Sequence, residues 1–324
     1  MFSNFANVWT IVGLAQDLKR DAPLAMRVAG ERIVFFRDAA GKACALLDQC
    51  PHRGVALSLG RVEKGVIECP FHGWRFDGDG RNCHVPWNPD AKRDNLSAVA
   101  LPCRESAGLL WLYTGFDPKE EPEPSQTLMA HRLALCAQSV IWKAHWTRVM
   151  ENMLDSPHLP FVHRNTIGRE LSKHLGAGKL EMNFEPTPTG GRIRASVYGS
   201  ARDGYLEYRF PNVMELFIDP PGKTFRLMVA CIPEDDGTTR LWLLTMRSFA
   251  RAPLLDFAFR WMNRRIARED QAIVESSLPA EVPPPGEEVS VRTDAPTLAF
   301  RKIYRERLQG SSVLRPRRGE DAAP

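Results

Sequence analysis

The amino-acid sequence predicts an α+β protein of two domains, because its 324 residues divide into three segments of different composition and pattern. The first 116 residues contain short apolar runs separated by turn signals, a pattern typical of antiparallel sheet. A charged, proline-rich stretch, "DPKEEPEPSQ" at 117–126, follows and has the composition of a linker. Residues 127–324 then mix helical and strand patterns, which predicts an antiparallel sheet with helices.

Each predicted element rests on a local pattern. In the first domain, strands are predicted at "RIVFF", "ACALLD" and "GLLWLY", with turns at "DAAGK" and "DGDGR". In the second domain, "WKAHWTRVMENMLDS" predicts a helix, and a second, long helical pattern runs from about 253 to 277 and ends before Pro279. The strands predicted between these two helices are 179–184, 191–198, 205–210, 213–218, 225–233 and 239–248.

Bulk composition excludes several classes of protein. The chain is 44% apolar and 25% charged, as in ordinary globular proteins, and its formal charge of +4 is too small to indicate a nucleic-acid partner. It shows no signal-peptide pattern and no run of about 18 apolar residues, so we expect a cytoplasmic protein without a membrane helix. Seven scattered cysteines do not suggest a disulfide framework, and no Gly-rich nucleotide-binding motif is present.

The most specific motif lies at residues 50–76, "CPHRGVALSLGRVEKGVIECPFHGWRF". Each of its two loops supplies one Cys and one His, whereas zinc fingers group like residues together. In a Rieske [2Fe–2S] centre one iron takes two Cys and the other two His, which fits this arrangement. The predicted cluster ligands are Cys50, His52, Cys69 and His72. A zinc site and four unrelated residues are the alternatives.

The segment from about Trp9 through "ESAGLLWLYTG" resembles the Rieske domain of non-haem iron oxygenases. Rieske proteins of the cytochrome bc type carry an extra Cys in each loop, and neither loop has one here. A Rieske domain needs only about 110 residues, so the remaining chain must have another function.

A second candidate site is "ENMLDSPHLPFVH", which contains Asp155, His158 and His163. On a regular helix, positions five apart lie about 140° apart round the axis, so the two imidazoles would not converge. Pro157 and Pro160 interrupt the helix and allow His163 to turn toward His158. Two imidazoles then need one carboxylate to form the 2-His-1-carboxylate triad of non-haem iron(II).

The long helical pattern offers candidate carboxylates for that third position. Asp270 falls on the predicted apolar stripe, where a carboxylate is costly unless it is paired or binds metal. Glu269 is rotated by one residue and fits less well, and Asp256 is explained by the helix N-terminus. The pattern alone leaves an ion pair with Arg and a metal ligand equally open for Asp270. The predicted stripe consists of Leu255, Phe259, Met262, Ile266, Asp270, Ile273 and Ser277.

Beyond the Rieske segment, "ENMLDSPHLPFVH" and "REDQAIVES" resemble the iron-binding segments of Rieske oxygenase α-subunits, and the likeness extends over nearly the whole chain. It is nearest to the short α-only enzymes of the vanillate and dicamba O-demethylase type. The resemblance implies a helix-grip, START-like catalytic domain with His158, His163 and Asp270 as ligands of one mononuclear Fe(II). It also implies that Asn152 lies near the iron and that Asp155 bridges to a Rieske-ligand His of a neighbouring subunit in a homotrimer.

The same resemblance implies a function. The expected activity is that of a terminal oxygenase, which uses O2 and electrons from a separate reductase or ferredoxin to hydroxylate or demethylate an aromatic or polycyclic small molecule. A ring cis-dihydroxylating dioxygenase is one alternative. A non-catalytic Rieske electron carrier with a ligand-binding domain is another.

Overall fold

The computed structural model describes residues 1–130, 132–172, 180–197, 200–201 and 204–316. The chain forms two compact units, Met1–Pro124 together with the segment that starts at Leu308, and Ser125–Arg307. The first is built from short strands, and the second from a large antiparallel sheet with a few helices. The predicted α+β class is therefore confirmed.

The first unit contains three antiparallel sheets, ordered β1-β11-β10, β2-β3-β4-β9 and β5-β6-β7-β8. Their strands are β1 (Trp9–Leu14), β2 (Leu24–Val28), β3 (Glu31–Arg37), β4 (Ala43–Leu47), β5 (Arg61–Glu63), β6 (Val66–Glu68), β7 (Arg75–Phe76), β8 (Asn82–His84), β9 (Ala100–Leu101), β10 (Cys103–Ser106) and β11 (Leu109–Tyr113). The strands predicted at "RIVFF", "ACALLD" and "GLLWLY" correspond to β3, β4 and β11. One predicted cluster loop precedes β5, and the other joins β6 to β7.

The C-terminal segment belongs to the first unit, which differs from the predicted division into 1–116, 117–126 and 127–324. The backbone amide of Asn4 donates to the carbonyl of Ser311 at 2.9 Å. The backbone amide of Val313 donates to the carbonyl of Met1 at 3.0 Å. These bonds satisfy backbone groups at both chain ends, and composition alone does not reveal such long-range pairing.

The second unit contains one antiparallel sheet in the order β12-β19-β18-β17-β16-β14-β13, with β15 paired to β14. Its elements are α1 (Gln126–Met129), β12 (Ala134–Trp142), α2 (Trp146–Leu154), α3 (Leu159–Val162), α4 (Arg169–Ser172), β13 (Leu180–Thr187), β14 (Gly190–Val197), β15 (Ser200–Ala201), β16 (Tyr205–Arg209), β17 (Val213–Phe217), β18 (Phe225–Asp235), β19 (Thr238–Arg247), α5 (Asp256–Val274) and α6 (Ala295–Arg307). The six predicted strands correspond to β13, β14 and β16 to β19. Residues 179 and 198 of the predicted ranges lie outside the described residues.

The first predicted helix begins later than its sequence pattern suggested. Trp142 ends β12, and α2 starts only at Trp146. The side chain of His145 caps the helix by accepting a hydrogen bond from the amide of Thr147 at 3.4 Å. A capped start places the helix boundary after His145, which apolar periodicity does not detect.

Helix α5 buries a narrower stripe than the one predicted. Its buried residues are Asn263, Ala267, Asp270 and Val274. Met262 and Ile273, which the pattern placed on the buried side, are 42% and 56% exposed. The buried face is rotated relative to the predicted stripe and includes a polar contact, a 2.8 Å hydrogen bond from the side-chain amide of Asn263 to the hydroxyl of Thr245. Asp270 nevertheless lies on the buried face.

Candidate metal centres

The two predicted cluster loops have the same backbone structure. In each, the amide of the Cys donates to the carbonyl five residues later at 2.8 Å. The amide of the Gly four residues after the Cys donates back to the Cys carbonyl, at 2.9 Å in the first loop and 3.0 Å in the second. Gly54 and Gly73 adopt φ of +73° and +68°, a conformation in which a side chain is unfavourable. Two short sequences therefore form matching turns.

The four side chains of these loops divide into a buried pair and an outer pair. Cys50 and Cys69 are 1% and 2% exposed and belong to the apolar core of the sheet around Ile67. The imidazoles of His52 and His72 face each other, with 3.2 Å between their Nδ1 atoms. Two sulfurs and two imidazole nitrogens are the donor set of a Rieske [2Fe–2S] cluster.

The surroundings of these side chains fit a metal cluster. Burial raises the pKa of the Cys50 thiol to about 11, so a nearby cation is needed to hold it as a thiolate. The ring of His52 stacks on that of Trp74, with centroids 4.6 Å apart and planes 3° from parallel. This stacking fixes the orientation of one imidazole.

The second predicted site is formed where α2 gives way to α3. Helix α2 ends at Leu154, and its C-cap Asp155 has an extended conformation. Helix α3 then occupies only Leu159–Val162. His158 is the N-cap of this short helix and His163 is its C-cap. The break after α2 supplies the change of direction that a continuous helix would not have allowed, as the positions of the prolines predicted.

The side chains of His158, His163 and Asp270 converge, with one ligand atom of each within 4.8 Å of the other two. Asp270 Oδ1 lies 2.9 Å from His163 Nε2 and 3.5 Å from His158 Nε2. Two imidazole nitrogens and one carboxylate oxygen on one side of a site form the facial triad suited to non-haem iron(II).

A hydrogen-bond imbalance at Asp270 supports a cation at this point. Its Oδ1 atom is buried and has no hydrogen-bond partner among the residues that the structure describes, which is costly for a carboxylate. The Nδ1 atom of each His faces another carboxylate, so the ring proton belongs there and each Nε2 presents a lone pair toward Asp270. Acceptors that face one another are stabilised by a cation between them, either a metal ion or the proton of an imidazolium. These residues therefore fit a metal ion.

The outer contacts of the two imidazoles come from different parts of the chain. Asp155 Oδ2 lies 3.0 Å from His158 Nδ1 and accepts a 3.2 Å hydrogen bond from the amide of the same residue. Glu269 Oε2 lies 2.8 Å from His163 Nδ1. Burial opposes a positive charge on His163, but the carboxylates of Asp270 and Glu269 outweigh it and raise its pKa. Both partners are of the kind that orient a metal-bound imidazole.

Sequence reasoning missed the contact of Glu269, which the helix pattern ranked below Asp270. Its only signal was its position beside a candidate ligand.

Asn152 lies in the last turn of α2, where its carbonyl accepts a hydrogen bond from the amide of Asp155 at 3.4 Å. The expectation that Asn152 lies near an iron ion stays a prediction.

Among the described residues, no helix is both long and apolar enough to cross a membrane.

Two family descriptions match the chain. The Rieske [2Fe-2S] domain matches residues 8–100, and the vanillate O-demethylase oxygenase C-terminal domain matches residues 142–209 and 217–309. The first match contains both cluster loops. The second contains the three residues of the candidate triad.

Individual relatives agree with these families. Chlorophyllide a oxygenase of Chlamydomonas reinhardtii is 34% identical over 290 residues, and the match covers 83% of this chain but 43% of that protein. The 4beta-methylsterol monooxygenase of Methylococcus capsulatus is 28% identical over 303 residues, covering 83% of this chain and 79% of that protein. The match thus spans less than half the length of the first relative.

One relative also has a solved structure. Methylxanthine N3-demethylase NdmB of Pseudomonas putida is 28% identical over 300 residues, covering 88% of this chain and 82% of that protein. The structure of NdmB from strain CBB5 superposes with a TM-score of 0.78 at 26% identity, covering 93% of this chain and 90% of that one. The two units described above therefore have their counterpart in a solved fold.

Proposed function

Because the chain belongs to the Rieske non-haem iron oxygenases, we propose that it is the terminal oxygenase of a multicomponent monooxygenase. Its activity is the hydroxylation, or the O- or N-demethylation, of an aromatic or polycyclic small molecule. A separate NAD(P)H-dependent reductase or a ferredoxin supplies the electrons. The observation that carries this proposal is the convergence of His158 and His163 on the buried, unpartnered Oδ1 of Asp270.

In this proposal each unit holds one metal group. Cys50, Cys69, His52 and His72 hold a [2Fe–2S] cluster, and His158, His163 and Asp270 hold one iron(II). When bound, the cluster supplies single electrons and the iron supplies positions at which oxygen is activated.

The chain's own residues orient these ligands. Asp155 and Glu269 keep the ring protons on Nδ1, so that both Nε2 atoms remain free to bind metal. Burial of His163 and Asp270 keeps water away from that half of the site.

Asp155 has a second part in the proposal. We infer that the protein is a homotrimer in which Asp155 links His158 to a Rieske-ligand His of a neighbouring subunit. Asp155 already binds His158, and its side chain is 28% exposed, so a second partner can reach it. The outward-facing His72 is the kind of residue that such a link needs.

Names of relatives favour monooxygenation over dihydroxylation. One relative is called a methylxanthine N3-demethylase and another a 4beta-methylsterol monooxygenase. The test is oxygen uptake with a surrogate reductase over methoxyaromatics, N-methyl heterocycles and polycyclic compounds, followed by product analysis. A hydroxylated or demethylated product formed in step with oxygen uptake supports the proposal, whereas a cis-diol product contradicts it.

An iron count tests whether the chain is an oxygenase at all. We expect about three irons per chain, two in the cluster and one in the triad. His158→Ala should lower this number by up to one and leave the visible spectrum of the cluster unchanged. A count of about two that His158→Ala does not alter would mean that the chain is a Rieske electron carrier without a catalytic iron.

A further inference from the structure

We propose that Glu269 is a positioning residue that fixes the imidazole of His163 for metal binding. This inference rests on the proposed iron site and concerns how that site is constructed. It divides the triad into two halves. In one half, His163 contacts helix α5, which carries Asp270 and Glu269. In the other half, His158 contacts Asp155 of its own loop.

Both ring nitrogens of His163 lie close to carboxylates. Its Nδ1 atom lies 2.8 Å from Glu269 Oε2, and its Nε2 atom lies 2.9 Å from Asp270 Oδ1. These two carboxylates belong to consecutive residues of α5. Both ring nitrogens of one ligand therefore face carboxylates of a single helix, and the hydrogen bond to Glu269 fixes how the ring is directed toward Asp270.

The Glu269 carboxylate is itself anchored by a second residue. The hydroxyl of Thr166 donates to the same Oε2 atom at 2.6 Å. Thr166 is in turn tied to the His163 turn, because its amide donates to the His163 carbonyl at 2.9 Å. Glu269 Oε2 thus accepts two hydrogen bonds from one turn, and these two bonds restrict the rotation of the carboxylate.

The turn that contains His163 is also constrained sterically. Gly168 closes the His163 turn by donating from its amide to the His163 carbonyl at 3.0 Å. A Cβ atom at this position would lie 1.8 Å from the carbonyl oxygen of Leu159. The turn that presents His163 and Thr166 to Glu269 is therefore closely packed around a residue without a side chain.

The other half of the triad is held less tightly. Asp155, which contacts His158 Nδ1, comes from the same loop and only three residues earlier. The His158 side chain is 16% exposed, against 1% for His163. Asp155 can move together with His158, whereas Glu269 ties His163 to a separate element. The affinity for Fe(II) should therefore depend on Glu269, although Glu269 is not one of the three proposed ligands.

The experiment measures Fe(II) binding to the full chain with its cluster intact. The mononuclear iron is removed with a mild chelator and restored by titration with Fe(II), and the Kd is obtained by chelator competition. The EPR spectrum of the nitric oxide adduct reports the symmetry of the bound iron. The variants are Glu269→Ala, Glu269→Gln, Thr166→Val and Thr166→Ser.

We expect Glu269→Ala to weaken Fe(II) binding by about 10- to 100-fold and to change the EPR spectrum. Glu269→Gln should restore much of the affinity, because an amide oxygen can accept the same two hydrogen bonds. Thr166→Ser keeps the hydroxyl, so its affinity for Fe(II) should resemble that of the unmodified chain. The affinity of Thr166→Val should lie between that of the unmodified chain and that of Glu269→Ala. A merely structural effect would lower the melting temperature without this order of affinities.

Arg265→Ala is the matched control on the same helix. Arg265 lies 3.6 Å from Glu269 Oε1 on the exposed side, and such pairs contribute little. Its removal should leave the Kd unchanged. Wild-type affinity in Glu269→Ala, with loss of iron in His163→Ala, would overturn the positioning role alone. An unmodified chain that binds no Fe(II) beyond its cluster would overturn the proposed iron site as well.

Discussion

The two candidate metal centres are assembled in different ways. His52 and His72 are 20 residues apart, and each lies in a six-residue turn whose hydrogen bonds repeat those of the other. His163 and Glu269 are 106 residues apart and meet only because helix α5 packs beside the end of α3. The first centre is encoded in local turns, and the second depends on the packing of distant elements.

Burial differs between the two centres in a corresponding way. In the first, the sulfurs are inside a small core and the histidines face outward. In the second, one His and the carboxylate are almost fully enclosed. An outward edge suits a group that exchanges electrons with a partner, while an enclosed site suits chemistry from which water is excluded.

The largest expected effect is that of Cys69→Ser. Serine is a poor ligand for iron, so the chain should lose about two irons together with the visible spectrum of the cluster. Since Cys69 also lies in the core of its sheet, the melting temperature of the first unit should fall. The measurement is iron content with calorimetry.

His163→Ala is the matching change in the second centre. It should remove one iron and leave the cluster spectrum intact. Loss of cluster absorption in this variant would show that the two centres are not independent, and the comparison between them would fail.

An intermediate effect is expected for Asp155→Asn. The amide oxygen can still accept the hydrogen bond of His158, so iron should be retained, but the negative charge proposed to link subunits is lost. Turnover should fall by about 10- to 100-fold with an unchanged iron content. Stopped-flow reduction of the cluster, followed by oxygen consumption, checks this. Unaltered turnover would exclude a bridging role for Asp155.

The smallest expected effect tests the equivalence of the two cluster turns. Gly54→Ala and Gly73→Ala each force a side chain into a positive-φ conformation, which costs about 1 to 2 kcal/mol. Each added Cβ meets the side chain of one residue, with the nearest atom at 3.2 Å for Gly54 and 3.1 Å for Gly73. Chemical denaturation should therefore give similar losses of stability for both variants. Clearly unequal losses would show that the turns are matched in hydrogen bonding only.

Several features could be predicted from local patterns. The four candidate cluster residues were predicted from their spacing, since each loop carries one Cys and one His, and the sheet strands were predicted from alternation. The prolines after Asp155 correctly indicated a break in the helix. Other features required packing. The start of α2 follows a cap at His145, and the buried face of α5 includes the polar residue Asn263, which donates to Thr245.

By itself, the sequence determined the class of fold, the pair of cluster loops and the candidates for the second metal, because these depend on interactions between near neighbours in the chain. Only the tertiary structure decided that Glu269 faces His163, that Asp270 Oδ1 is left without a partner, and that the segment after Leu308 joins the first unit. The physical reason is that side-chain contacts between distant elements depend on how whole helices and sheets pack. A rotation of α5 by one residue, about 100°, would have turned Asp270 away from the two imidazoles.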